Sequence, residues 1–92
     1  MIQSFRHKGL RKLFEDDDRS KLSAQDVDKI ARILARLSAA NVPEDIDAPG
    51  FKLHRLKGDL KGFWAVTVRA NWRIIFRFED GDALDVDLVD YH

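Results

Sequence analysis

The residue types able to do chemistry gather in the second half of the chain: His54, Lys57, Arg73 and a terminal Asp90-Tyr91-His92. Together they suffice, in principle, to cut RNA by attack of a ribose 2′-OH on the adjacent phosphorus. That reaction needs a base for the 2′ proton, a cation for the extra charge on phosphorus, and an acid for the leaving 5′-oxygen. Arg73 suits the phosphate, because a guanidinium is permanently charged and can bind two oxygens at once. His92 carries an imidazole, which can serve as acid or base near neutral pH. Lys57 can neutralise phosphate or, unprotonated, act as a base. Tyr91 can stack on a nucleobase or offer a proton, Asp90 can orient a neighbouring imidazole or lysine, and His54 supplies a second imidazole. Which group is acid and which is base stays open.

The charge distribution favours a polyanionic partner. Formal net charge is zero, yet residues 51–77 hold seven Lys and Arg against one acid, Asp59, while residues 78–92 hold six carboxylates and no Lys or Arg. A basic, aromatic-rich stretch captures phosphate by Coulomb attraction and counterion release. The plainer alternative is a solvated sheet face, with Arg77 and Asp85 forming a cross-strand pair worth tenths of a kcal/mol.

Other chemistries are poorly served. The chain has no Cys, which excludes disulfides and thiolate zinc sites. There is no P-loop, nucleophile elbow or dinucleotide glycine pattern. The three His are scattered without metal-helix spacing, and Asp16-Asp17-Asp18 lacks the glycine and terminal Glu of a calcium loop. No metal or cofactor is therefore expected. Lys29, Arg32 and Arg36 read as the exposed side of a helix. No run is apolar enough for a signal peptide or a membrane span, so a cytoplasmic protein is expected.

At 92 residues the chain has room for one domain and one core, residues 1–92. Its first half reads as helical. A short strand is expected over 2–5, then an amphipathic helix carrying Leu10, Leu13 and Phe14 that stops near the acidic run 15–18. A second helix is expected to begin at Ser23 as N-cap, with Leu22 and Val27 as a hydrophobic staple and Val27, Ile30, Ile33, Leu34 and Leu37 as its stripe. Pro43, Pro49 and Gly50 mark a loop. From Phe51 the period becomes two: Trp64, Val66 and Val68, then Trp72, Ile74, Phe76 and Phe78, then Leu84, Val86 and Leu88. Helices followed by strands without crossovers imply an α+β fold, two N-terminal helices packed on an antiparallel sheet of three to four strands. If the last two apolar sets share a face, Phe78 lies opposite Leu84, Phe76 opposite Val86 and Ile74 opposite Leu88. That register requires an odd connection around Asp80-Gly81-Asp82. It also sets Arg77 opposite Asp85, Arg73 opposite Val89, and Lys52, His54, Arg69, Arg73 and Arg77 on the face away from the helices. Arg73 then neighbours the terminal tripeptide.

The segments Leu53-His54-Arg55-Leu56-Lys57-Gly58, Gly62-Phe63-Trp64, Val68-Arg69-Ala70-Asn71-Trp72-Arg73-Ile74 and Asp90-Tyr91-His92 resemble the HigB toxins. These form the host-inhibition, or plasmid maintenance killer, branch of the RelE superfamily, and the resemblance covers essentially the whole chain. It implies a RelE-like fold and a metal-independent endoribonuclease that enters the ribosomal A site and cuts mRNA, often at adenine-rich codons. A 2′,3′-cyclic phosphate and a 5′-hydroxyl would result. It implies catalytic roles for His54, Lys57, Arg73, Asp90, Tyr91 and His92. Arg6, Lys8, Lys12, Lys52, Arg55, Lys61 and Arg69 are the cations expected to hold RNA or ribosome. The implied partners are a HigA-type helix-turn-helix antitoxin, the small ribosomal subunit with its mRNA, and operator DNA only through the antitoxin. Some relatives lack a His at the position of His54, and a well-known form of the motif has proline where this chain has Arg55.

Two other functions compete. A non-catalytic toxin of the same fold could inhibit a protein such as DNA gyrase, using the basic face for docking. A simple RNA-binding module would bind with steep salt dependence and leave phosphodiester bonds intact.

Overall fold

The structure is a computed structural model and describes residues 1–91. Helix α1 spans Lys8–Asp16. The Nδ1 atom of His7 accepts from the Leu10 N–H at 3.2 Å, capping the first turn. The helix closes at Asp17, which enters the left-handed region at φ 54. The N–H groups of Asp17 and Asp18 return to the carbonyls of Leu13 and Lys12. The acidic run thus ends α1 as expected.

Helix α2 covers Val27–Ala39, with Asp26 rather than Ser23 as its N-cap. Ser23 still starts the turn that leads into it, its carbonyl accepting from the N–H groups of both Asp26 and Val27 at 3.0 Å. The segment after α2 holds a 3-10 turn at Pro43–Ile46. Lys29 donates to the Gly50 carbonyl and Arg36 to that of Asp45, so two cations of the expected exposed stripe pin this segment to α2.

Four strands follow, β1 His54–Arg55, β2 Trp64–Arg69, β3 Trp72–Glu79 and β4 Asp82–Asp90, in an antiparallel meander of spatial order β1-β2-β3-β4. The N-terminal segment adds itself in parallel beside β4 through single bridges at Ile2 and Phe5. The expected strand over 2–5 is therefore reduced to two bridges.

Both helices cover one face of the sheet. Leu10, Leu13, Ile30, Ile33, Leu34 and Leu37 meet Val66, Val68, Ile74, Phe76, Ala83 and Val86, with Ile46 and Phe51 closing the side. The opposite face is not simply solvated. Leu56 and Phe63 fold back from the β1–β2 loop over Ala65 and Ile75, with Leu60 and Val89 packed around them. The consecutive apolar pairs Ala65-Val66 and Ile74-Ile75 supply both faces at once.

The β3–β4 register agrees with expectation at one end and departs at the other. Ile74 pairs with Leu88 and Arg73 with Val89, but Arg77 pairs with Leu84 and Phe78 with Ala83. The connection is a two-residue turn, Asp80-Gly81, with both residues at positive φ (52 and 84), the twist that suits a tight hairpin. Parity is restored by a bulge: Phe76 faces two residues, Asp85 and Val86, with Asp85 at φ 54. As a result Ala83 takes the buried place expected for Leu84. The Arg77–Asp85 pair survives through side chains, Nη1 to Oδ2 at 3.1 Å.

Candidate RNA-binding and cleavage site

Side-chain alternation sorts the expected residues. His54 pairs with Ala65, Ala65 with Ile75, Thr67 with Arg73, and Arg73 with Val89. Hydrogen-bonded partners share a face, so His54, Arg73 and Arg77 stand on the face away from the helices. Tyr91 joins them two residues beyond Val89, its N–H donating to the Asn71 carbonyl at 2.8 Å. The β2–β3 turn and the tail after β4 thus meet at one end of the sheet, beside Arg73. The expected proximity of Arg73 to Asp90 and Tyr91 holds. His92 lies outside the described residues.

Arg73 is half-buried and held by its own hairpin. Its Nη1 donates to the carbonyls of Ala70 at 2.6 Å and Trp72 at 3.3 Å. Its Nε is buried without a hydrogen-bond partner among the described residues. The guanidinium is thus seated at one nitrogen, leaving Nη2 as the end able to meet an anion. Strand spacing puts the Cα of His54 ~12 Å from that of Arg73, so the two side chains can act together only on a group lying between them. The His54 ring is exposed, with Nδ1 at 2.8 Å from the Lys52 carbonyl. A carbonyl only accepts, so Nδ1 carries hydrogen and Nε2 is the nitrogen left to exchange a proton.

At the β1 edge, Arg55, Leu56, Lys57, Gly58, Lys61 and Gly62 line a groove of about 320 Å³. Lys57 precedes a 3-10 turn at Gly58–Leu60. Gly58 and Gly62 sit at φ 67 and 96, a conformation costly for other residues, and a Cβ at either would meet nothing within 4 Å. The loop therefore presents two lysines and bare backbone to open space. Arg55 stacks over Trp64 at 4.9 Å, which fixes its guanidinium at the same edge.

The remaining basic residues scatter. Arg6 reaches the same face as Arg73, over the Phe63 ring at 5.2 Å and 4.0 Å from Asp85. Lys52 is exposed before β1, at φ 53. Lys8 and Lys12 stand on α1, where Lys12 pairs with Asp16. Arg69 departs from expectation. A bulge at Val68 turns it to the helix side, where it forms a two-pronged pair with Asp26 at 2.8 and 3.2 Å. That pairing holds the Arg69 guanidinium above its ordinary value, through the hydrogen bond first and Coulomb attraction second. Asp26, 43 residues away in sequence, carried no local signal of this role.

Among the described residues, no ion pair involves Lys52, Arg55, Lys57, Lys61 or Arg73. The acids of β4 are engaged elsewhere: Asp82 with the N-terminal amine, Asp85 with Arg77 and Arg6. No helix among the described residues is long and apolar enough to cross a membrane.

Comparison with known proteins identifies the family and the fold. Residues 3–92 match a family model described as the RelE-like toxin of the type II toxin–antitoxin system HigB. The chain is 49% identical over 92 residues to the Endoribonuclease HigB of Proteus vulgaris, covering all of both chains. It is 34% identical over 90 residues to Toxin HigB-1 of Vibrio cholerae, covering 96% of this chain and 95% of that one. The fold is similar to that of a point mutant of YafQ from E. coli, with TM-score 0.65 at 17% identity, over 98% of this chain and 93% of that one. It is also similar to a YoeB/ParE toxin from Agrobacterium tumefaciens, with TM-score 0.59 at 19% identity, over 100% of this chain and 99% of that one.

Proposed function

The chain belongs to the HigB family of RelE-like toxins of type II toxin–antitoxin systems, and from that premise we propose that it is an endoribonuclease cutting mRNA in the ribosomal A site. The observation that carries this reading is the meeting of Arg73 and Tyr91 at one end of a sheet face, with the exposed lysines of the Lys57–Lys61 loop at its edge. The 49% identical relative named an endoribonuclease supports it.

In the reaction, the ribose 2′-oxygen attacks phosphorus as a base takes its proton. The P–O5′ bond then breaks and an acid gives a proton to O5′, leaving a 2′,3′-cyclic phosphate and a 5′-hydroxyl. Arg73 meets the phosphate oxygens through Nη2, and an anion there also offsets the cost of its buried, unpaired Nε. Lys57 adds positive charge from the loop, and His54 presents Nε2 for proton transfer. Tyr91 stacks on a base or supplies a proton, Asp90 orients a proton-transfer group, and the His92 imidazole serves as acid or base. Arg6 and Lys61 hold the flanking backbone. The ribosome supplies the substrate geometry that so shallow a surface lacks, with adenine-rich codons as the favoured sites. Toxins of this family are paired with antitoxins; the partner here is a HigA-type helix-turn-helix protein through which the complex reaches operator DNA, in the cytoplasm.

The deciding experiment maps transcript 5′ ends in cells after brief induction of this chain or its Arg73→Ala variant. New cuts in codon register within translated frames, absent from the variant, are expected. Growth arrest without new cuts would redirect the search to a protein target.

A further inference from the structure

Building on the nuclease reading, we infer that Asp26 and Arg69 form a positioning pair that seats Arg73 and Tyr91 for the reaction. Asp26 occupies the N-cap of α2 yet makes no capping bond with its own helix. An Asp at that place ordinarily accepts from the N–H groups of the first turn. Here the carboxylate is turned outward and both oxygens are taken by Arg69, through Nε at 2.8 Å and Nη2 at 3.2 Å. Asp26 is buried, at 8% exposure, whereas the Arg69 side chain is 44% exposed.

What Arg69 anchors is the turn that follows it. The turn is Ala70-Asn71, with Ala70 held at φ 50, a strained conformation for a residue with a Cβ. The Ala70 carbonyl accepts from Arg73 Nη1 at 2.6 Å, and the Asn71 carbonyl accepts from the Tyr91 N–H at 2.8 Å. Thus a single two-residue turn, tied to α2 by one two-pronged ion pair, holds the Arg73 guanidinium and the backbone that carries Tyr91. Releasing the anchor lets the strained turn relax, and Arg73 and Tyr91 move with it. Arg69 is therefore a positioning residue here, in place of the RNA contact that its charge suggested in the sequence.

The test uses the intact chain on ribosomes carrying a programmed message, with Asp26→Ala, Arg69→Ala and the double variant. Melting curves and the NMR signals of the Tyr91 amide and Arg73 Nε–H are recorded on the same samples. Asp26→Ala carries the test, because it leaves a guanidinium already open to water; Arg69→Ala strands a buried carboxylate and can fail to fold. Saturated cleavage by Asp26→Ala should fall about 10- to 100-fold with half-saturation within about threefold, and the double variant should be no slower than the worse single. The Tyr91 and Arg73 signals should shift in the same variant. Wild-type cleavage by folded Asp26→Ala, or loss confined to half-saturation in Arg69→Ala with additive effects in the double, would overturn the inference. A wild-type chain that cuts nothing sinks the nuclease reading instead. In that case unmoved Tyr91 and Arg73 signals in Asp26→Ala overturn the pairing on their own, since that readout needs no cleavage.

Discussion

Arg73 has a structural duty in its hairpin beside the one that the proposed reaction gives it. One nitrogen is tied to the turn and another is buried without a partner, so the guanidinium meets a ligand through a single remaining edge. Arg73→Ala should abolish cleavage while costing only about 1 kcal/mol of stability, the value of the turn bonds. Urea unfolding beside a cleavage assay checks both halves. Arg73→Lys is expected to fail too, by at least about 100-fold, because an ammonium cannot hold the turn and grip phosphate with a fixed fork. Near-wild-type rates in that variant would reduce Arg73 to a point charge. Tyr91, 42% exposed, separates two roles by substitution. Tyr91→Ala should lose activity under either role, whereas Tyr91→Phe keeps it if the ring only stacks and loses it if the hydroxyl moves a proton.

The elements were legible wherever one face alone was buried. Both helices, the three long strands and the Arg73–Val89 register follow from period and parity, while the two-residue β1 decides between the three and four strands expected. Legibility failed where the backbone leaves the regular ladder. The Val68 bulge turns Arg69 toward Asp26, and the Asp85 bulge compensates a two-residue turn that parity alone forbids. Bulges respond to twist and to side-chain partners distant in sequence, so alternation counted along one strand cannot reveal them. The second apolar layer was hidden for a related reason: Leu56 and Phe63 sit in a loop, and loops carry no period. The turn chemistry is testable. Gly81 at φ 84 allows the tight hairpin, so Gly81→Ala should lower stability by about 1 kcal/mol, read as a lower urea midpoint at unchanged slope. Asp18, after α1, accepts from the Ser20 hydroxyl and N–H, bonds that hold its carboxylate below the ordinary value of 3.8. A depressed acid contributes stability above its unfolded pKa and loses it as pH falls through the folded one. Ser20→Ala should therefore lower the urea midpoint slightly at neutral pH and converge with wild type below about pH 4, where the carboxyl is protonated in both.

Across the whole molecule, zero net charge conceals a separation that folding sharpens. The acids of β4 are partly consumed by the N-terminal amine, Arg6 and Arg77, while the loop between β1 and β2 keeps its lysines unpaired among the described residues. The β1 edge is thus basic, although the chain as a whole is neutral. Each lysine that neutralises a phosphate releases counterions, so binding should weaken with salt in proportion to the number of such contacts. Lys57 and Lys61 line the same groove, yet the proposed chemistry gives them different duties. Lys61→Ala should weaken RNA-dependent binding to programmed ribosomes and lower the log–log salt slope by about 1, leaving the saturated cleavage rate intact. Lys57→Ala should lower the slope similarly and also slow saturated cleavage, because its charge is needed as phosphorus gains negative charge. Equal behaviour of the two variants in both measurements would show that the loop only binds, and that Arg73 faces the reacting phosphate without help from that edge.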